Sequence, residues 1–217
     1  MNTVWLVRHG ENRANQTGEF SHRIVDYPLT PLGWRQARCT AAYLAPFPIT
    51  AVYASPLQRA QQTAACIAEP HQLSVQIIEA FREVDVGRLE REPPTKATWA
   101  LHDRIFAAWY AGNHAVAFPD GEDYHTLLGR MQAGLRQTTA NRCGEHIVIV
   151  GHGGLFNTTI KDLCPQADLA ALLAAGFPNG AVSQIELHCE AGGLWGMLKY
   201  WAYRTHLDAL TDSNLEP

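Results

Sequence analysis

Short apolar runs alternate along the chain with longer stretches in which apolar residues recur three and four positions apart. Val4-Trp5-Leu6-Val7 is a compact apolar run ending in Arg8 and His9, and it predicts a central strand. Thr30 followed by Pro31 supplies a helix N-cap with proline at the first helical position. Leu32, Ala37, Ala41 and Leu44 then keep roughly helical spacing, so a helix is predicted over Pro31 to Leu44. Ile49 to Ala54 reads as a second strand. Ser55-Pro56 repeats the cap-and-proline signal and predicts a helix from Pro56 to about Glu69. Val75 to Ile78 is a third strand. Ile147-Val148-Ile149-Val150, an unbroken β-branched run, is the clearest strand; Gly151-His152-Gly153-Gly154 and a helix to about Leu163 follow it. Val182 to Leu187 and Trp195 to Trp201 predict a late strand pair, joined by a turn at Ala191-Gly192-Gly193.

The stretch from about Arg82 to Cys143 is mostly helical in pattern, with breaks at Pro93-Pro94 and at Phe118-Pro119-Asp120-Gly121. It reads as a helical insertion over one edge of the sheet. Trp99, Phe106 and Trp109 lie in it at helical spacing and are expected to form its core rather than an aromatic wall around a ligand. Alternating strands and helices favour a three-layer α/β/α sandwich with a mostly parallel sheet. The late strand pair adds an antiparallel member, so the sheet should be mixed. The 217 residues suit one domain, 1–217, with the insertion inside it.

Composition narrows the function classes. A net charge of −4 argues against a dedicated nucleic-acid binder, which would show a basic face. No apolar run approaches the ~18 residues a membrane span needs. The first apolar run has no basic segment before it and is followed directly by Arg8 and His9, a poor secretory leader, so a cytoplasmic protein is expected. Five cysteines, odd in number and without a Cys-x-x-Cys pair, read as reduced, mostly buried thiols. A chain this long buries roughly 70% of its unfolded surface and needs neither disulfide nor structural metal to fold.

Three strand ends carry chemistry. The first ends in Arg8-His9-Gly10-Glu11, the second runs into Ser55-Pro56 with Arg59 shortly after, and the Ile147–Val150 strand ends in Gly151-His152-Gly153-Gly154. Taken singly, each is an ordinary structural feature. Open α/β sheets bind ligands outside the carboxyl ends of their strands, so neighbouring parallel strands would bring Arg8, His9, Arg59 and His152 together. Two guanidiniums match phosphate oxygens. Helix starts after Ser55 and His152 would add free N–H groups, and glycines beside both histidines would let backbone approach a ligand. A neutral imidazole beside a phosphoryl group is a nucleophile, so the set points to phosphoryl transfer through a phosphohistidine, with arginines in place of a metal ion.

Five ordered blocks resemble the histidine phosphatase (phosphoglycerate mutase-like) superfamily. Leu6-Val7-Arg8-His9-Gly10-Glu11 is similar to its signature, with the histidine as phosphate acceptor. Asp26-Tyr27-Pro28-Leu29-Thr30-Pro31-Leu32-Gly33 with Gln36-Ala37, Ala54-Ser55-Pro56-Leu57-Gln58-Arg59 to Ala64, Gly121-Glu122, and Val150-Gly151-His152-Gly153-Gly154 are similar to its later blocks. The resemblance implies His9 as nucleophile and Arg8, Asn15, Arg59 and His152 as phosphoryl-binding residues. It implies Glu83, in Phe81-Arg82-Glu83-Val84-Asp85-Val86-Gly87, as proton donor to the leaving alkoxide, with Asp85 as its competitor. Neither metal nor other cofactor is implied.

The chain departs from the family pattern on the substrate side. Gly87-Arg88-Leu89-Glu90-Arg91 lacks the usual aromatic and final glycine, and Gly121-Glu122-Asp123 lacks a serine. Arg88, Arg91, His114 and Tyr124 are candidates for the pocket entrance. The implied activity is hydrolysis of a small phosphate ester, in a chain similar to the small-molecule phosphatases including the α-ribazole phosphatase type. A 2,3-bisphosphoglycerate-dependent mutase is the second reading, disfavoured by the short insertion and the absence of an adjacent arginine pair. An inactive phosphoryl-binding module is the third. Oligomeric state is left open, a homodimer included.

Overall fold

The structure, a computed structural model, describes residues 1–190 and 193–210. Six strands form one mixed sheet: β1 (Asn2–Arg8), β2 (Ile49–Ala54), β3 (Val75–Ile77), β4 (His146–Gly151), β5 (Val182–Glu190) and β6 (Gly193–Tyr203), in the order β3-β2-β4-β1-β5-β6. The first four are mutually parallel; β5 runs antiparallel to β1, and β6 antiparallel to β5. The turn expected at Ala191-Gly192-Gly193 lies outside the described residues except for Gly193.

Alternation along the strands sorts the core into two layers. Trp5 and Val7 of β1, with Val148 and Val150 of β4, face α2 (Pro31–Leu44) and α3 (Gln58–Ala68). Val4, Leu6, Ile147 and Ile149 face the other way, onto α4 (Lys96–Tyr110), α5 (Tyr124–Thr139) and α6 (Gly153–Leu163). β4 is fully buried from Ile147 to Val150 because both faces are covered, which explains its unbroken apolar run. Burial of each such side chain is worth about 1.5–3 kcal/mol. The expected three layers are therefore present.

Several boundaries differ from expectation. α3 starts two residues late: the Ser55 hydroxyl oxygen accepts from Leu57 N at 3.3 Å, ahead of the first helical residue, and faces His152 Nε2 at 2.7 Å. Asp26 takes over, its carboxylate accepting from Gln58 N at 3.0 Å across the loop. Two short helices were not anticipated. One is α1 (Arg13–Thr17), closed by a reciprocal Asn12–Asn15 capping box; the other is α7 (Leu169–Ala175), capped by Asp168. The middle section breaks at the expected prolines and holds α4 and α5, but residues 82–95 contain only a 3-10 turn, Gly87–Arg91. The helices of this section join the apolar cluster on one face of the sheet, with α5 beside α6 and beside the 3-10 turn Glu79–Phe81 that follows the edge strand β3. The cysteines are unpaired, yet only Cys164 is buried, while Cys143 and Cys189 are exposed. None of the described helices is long and apolar enough to cross a membrane.

Candidate active site

Strand order and register bring the three chemically marked ends together. β2, β4 and β1 are neighbours, with Ala54 opposite Val150 and Gly151 opposite Arg8. Ladder bonds continue one residue past the strands, from His9 N to Gly151 O at 3.1 Å and from Ser55 N to Val150 O at 2.9 Å. His9, Ser55 and His152 consequently emerge side by side, and the His9 and His152 ring centroids lie 5.1 Å apart.

Hydrogen-bond partners define the tautomers. His9 Nδ1 lies 2.7 Å from the Gly10 carbonyl, so Nδ1 carries the proton. Nε2 therefore presents a lone pair, which accepts from Arg59 Nε at 3.1 Å. His152 Nδ1 accepts from Arg59 Nη2 at 3.2 Å, leaving Nε2–H to donate to Ser55 Oγ. Burial first, then the Arg59 charge, holds both imidazoles well below the ordinary histidine range. Both are thus neutral near pH 7.

Arg59 organises this cluster. It donates Nη1–H to Ser21 Oγ at 2.8 Å and Nη2–H to Ser21 O at 2.7 Å, and its Nη1 lies 3.8 Å from Asp26 Oδ1. Burial pulls its guanidinium down to about 10, still charged at neutral pH. Arg8 donates Nη1–H to Phe177 O at 2.6 Å, while its buried Nε has no hydrogen-bond partner within the protein. The same holds for Nδ2 of the fully buried Asn12. Both residues line a cavity of about 390 Å³ together with His9, Asn15, Arg59 and Glu83. The floor thus presents cationic and neutral N–H donors suited to an anion.

Glu83 sits at the start of α6. Its carboxylate accepts from Val84 N at 2.9 Å, Gly154 N at 3.1 Å and Leu155 N at 2.9 Å. The free N–H groups expected at the two helix starts are therefore taken by protein carboxylates, Glu83 on α6 and Asp26 on α3. The glycines beside the histidines likewise make room for protein rather than for a ligand, the Gly33 backbone at Gly10 and side chains at Gly153 and Gly154. A Cβ on Gly154 would lie 2.7 Å from Glu83 Oε1, and one on Gly153 would lie 3.3 Å from Arg8 Nε.

The remaining expectations divide. Asn15 lines the cavity, with Oδ1 accepting from Asn12 N at 3.0 Å and Asn179 Nδ2 at 3.2 Å. Asp85 does not line this cavity; its Oδ1 accepts from Gly87 N at 2.9 Å and its Oδ2 faces His22. Nor do Arg88, Arg91, His114 and Tyr124. The two arginines project from the 3-10 turn on another face, and His114 stacks on Tyr124 with centroids 3.8 Å apart. Trp109 and Phe106 are core as expected, 1% and 8% exposed, but Trp99 is exposed and lines the cavity, which the Phe106 ring also reaches. Ten residues is 2.8 helical turns, which rotates Trp109 about 80° away from Trp99, whereas seven residues returns Phe106 nearly to the Trp99 stripe.

Sequence reasoning missed the supports. Glu90 Oε1 accepts from the backbone N–H groups of His22, Arg23, Ile24 and Val25 at 2.7–3.0 Å, which shapes the loop carrying Ser21. Arg130 pairs with Glu122 at 2.8 Å and donates to the carbonyls of Ala80, Arg82 and Glu83, holding the segment that carries Glu83. Thr63 Oγ1 accepts from Gly10 N, and Asn179 donates to His9 O. Of these, only Glu90, Glu122 and Thr63 stood in sequence blocks already singled out.

Comparison with known proteins finds relatives named as phosphatases and phosphoglycerate mutases. The chain is 30% identical over 163 residues to the "Uncharacterized phosphatase PhoE" of Bacillus subtilis, covering 75% of this chain and 78% of that one. It is 32% identical over 173 residues to the "Probable phosphoglycerate mutase GpmB" of Yersinia enterocolitica, covering 76% and 77%. Its structure resembles that of the α-ribazole phosphatase from Shigella flexneri with a TM-score of 0.73 at 25% identity, covering 93% and 96%. The profile of the histidine phosphatase superfamily (branch 1) matches residues 4–197, nearly the whole chain, and the chain belongs to that superfamily.

Proposed function

We propose that the protein is a phosphomonoesterase that hydrolyses a small phosphate ester through a phosphohistidine on His9, with no metal ion. The carrying observation is the His9 ring: buried, neutral, protonated on Nδ1 by its bond to Gly10 O, with its Nε2 lone pair among the donors of Arg59, Arg8 and Asn12. The ester's phosphoryl oxygens take up the N–H groups of Arg8, Arg59 and Asn15. Arg59 Nε turns from His9 Nε2 to the phosphoryl group as the ester binds. His152 lies outside the cavity lining and acts through Arg59, orienting it by accepting from Nη2 through Nδ1.

In the first step His9 Nε2 attacks phosphorus as the bond to the alcohol oxygen breaks, and protonated Glu83 gives its proton to that oxygen. In the second, the Glu83 carboxylate takes a proton from a water molecule whose oxygen attacks phosphorus. The P–N bond breaks, and phosphate and neutral His9 are restored. General acid help to an alkoxide is worth about 10²–10⁴-fold. Arg8 and Arg59 neutralise the charge that metal ions handle in other phosphoryl-transfer sites.

The experiment is turnover of a chromogenic phosphomonoester in EDTA, with a denaturing alkaline quench to trap protein-bound phosphorus. Wild type should turn over and yield acid-labile phosphohistidine; His9→Ala should lose both, by at least about 10³-fold in kcat. Retained turnover in that variant, or loss of wild-type turnover in EDTA that added metal restores, would overturn the reading. Formation of 2-phosphoglycerate from 3-phosphoglycerate would instead identify a mutase.

A further inference from the structure

Above the phosphoryl floor, one wall of the cavity is made of rings. Trp99, His102, Phe106 and Tyr110 follow one another on α4 at intervals of three, four and four, which stacks them on one helix face, and that face lines the cavity. Phe20 closes the row, its ring centroid 4.5 Å from Trp99 and 5.3 Å from His102. Trp99 is 37% exposed, and its indole is held in place by Nε1–H donation to Gly18 O at 3.0 Å. A pre-oriented exposed ring face gains stacking contact at little cost in ordering.

Charge in the cavity is segregated. Its two guanidiniums, Arg8 and Arg59, belong to the floor. The other charged side chains along its lining are acidic, namely Glu83, Glu19 and Asp103, and Asp103 stands on the ring-bearing helix. A carboxylate or second phosphate on the departing alcohol would meet Glu19 and Asp103 there, and the one basic side chain on that wall, His102, has its Nδ1 2.9 Å from Asp103 Oδ1. Asn157 Oδ1, on the opposite side in α6, is buried with no hydrogen-bond partner within the protein and offers an acceptor to an N–H or O–H.

We propose that the substrate is the monophosphate of an alcohol carrying a flat aromatic or heteroaromatic ring, neutral or positively charged, which stacks on Trp99. Asp103 selects against anionic alcohols. This rests on the phosphatase reading above. It also separates this site from phosphoglycerate chemistry, whose substrates carry a carboxylate beside the phosphate.

The test measures kcat/KM for three probes: 2-phenylethyl phosphate, n-propyl phosphate and 3-phosphoglycerate. Wild type should prefer the phenylethyl ester to each of the others by about tenfold or more. Trp99→Ala should cut the phenylethyl-to-propyl ratio about tenfold, and Trp99→Phe, which keeps a ring, should restore most of it. Asp103→Lys should raise the ratio of 3-phosphoglycerate to propyl phosphate. Equal efficiency on all three probes in wild type, or a Trp99→Ala ratio within about twofold of wild type, would overturn the substrate proposal and leave the phosphatase reading standing. Phosphate release from none of the three would remove both.

Discussion

Glu83 is asked to carry a proton to one oxygen and then take one from another, so its carboxylate must stay still while its charge changes. Three backbone N–H groups at the head of α6 and the adjoining peptide hold it, and Gly154 leaves the space it needs. An alanine at 154 would place its Cβ 2.7 Å from Oε1 and force the carboxylate to move. For Glu83→Gln, the loss should depend on the alcohol. An alkyl phosphate should lose about 10²–10⁴-fold in kcat, because its alkoxide needs the proton. A nitrophenyl phosphate, whose phenolate leaves unaided, should lose far less. Equal losses on the two esters would remove Glu83 from the acid role. Asp85 sits beyond the next turn on His22 and Gly87, so the two acids, neighbours in sequence, face different cavities.

At the scale of elements, the site depends on loops clamped by buried side chains. Glu90 gathers four consecutive N–H groups of residues 22–25, and the residue just before them, Ser21, holds both terminal nitrogens of Arg59. Removing the charge in Glu90→Gln keeps the shape but weakens those bonds. The expected result is a lower urea midpoint, corresponding to about 1–3 kcal/mol, and a raised KM because Arg59 loses its Ser21 anchor. Unchanged midpoint and KM would mean that the loop holds its form without the carboxylate. The same logic applies at the start of α3. Ser55 Oγ accepts from Leu57 N and faces His152, and Asp26, 32 residues earlier, satisfies the exposed N–H of Gln58.

For the molecule as a whole, the buried histidines couple stability to pH. His9 and His152 are held well below the ordinary value, chiefly by burial, so the folded chain stays unprotonated there while the unfolded chain takes up protons. Above about pH 6.5 neither state is charged at these positions and no stability is lost through them. As pH falls below about 6.5 the unfolded state binds more protons, and stability drops by up to about 1.4 kcal/mol per pH unit for each group. The urea midpoint should therefore fall between pH 6.5 and pH 5, and His9→Asn should show a shallower fall over that window. Parallel slopes for the two proteins would remove His9 as a contributor.

The strands, the marked residues at their carboxyl ends and the two main covering helices were legible in the sequence because they depend on neighbours a few positions away. A β-branched run buried on both faces reads as a strand in any context, and Thr30-Pro31 starts α2 where local sterics and capping require. From those local signals and parallel-sheet geometry, the meeting of His9, Arg59 and His152 followed. What each donor faces did not follow. The helix-start N–H groups go to Glu83 and Asp26, which come from more than thirty residues away, and the glycines beside the histidines clear space for other parts of the protein, the Gly33 backbone at Gly10 and the Arg8 and Glu83 side chains at Gly153 and Gly154. The clamps of Glu90 and Arg130 and the ring-lined wall with Trp99 and Phe106 were likewise decided only in three dimensions. Spacing sets which helix face a residue shares, whereas the packing of α4 against the rest of the chain decides whether that face meets core or cavity.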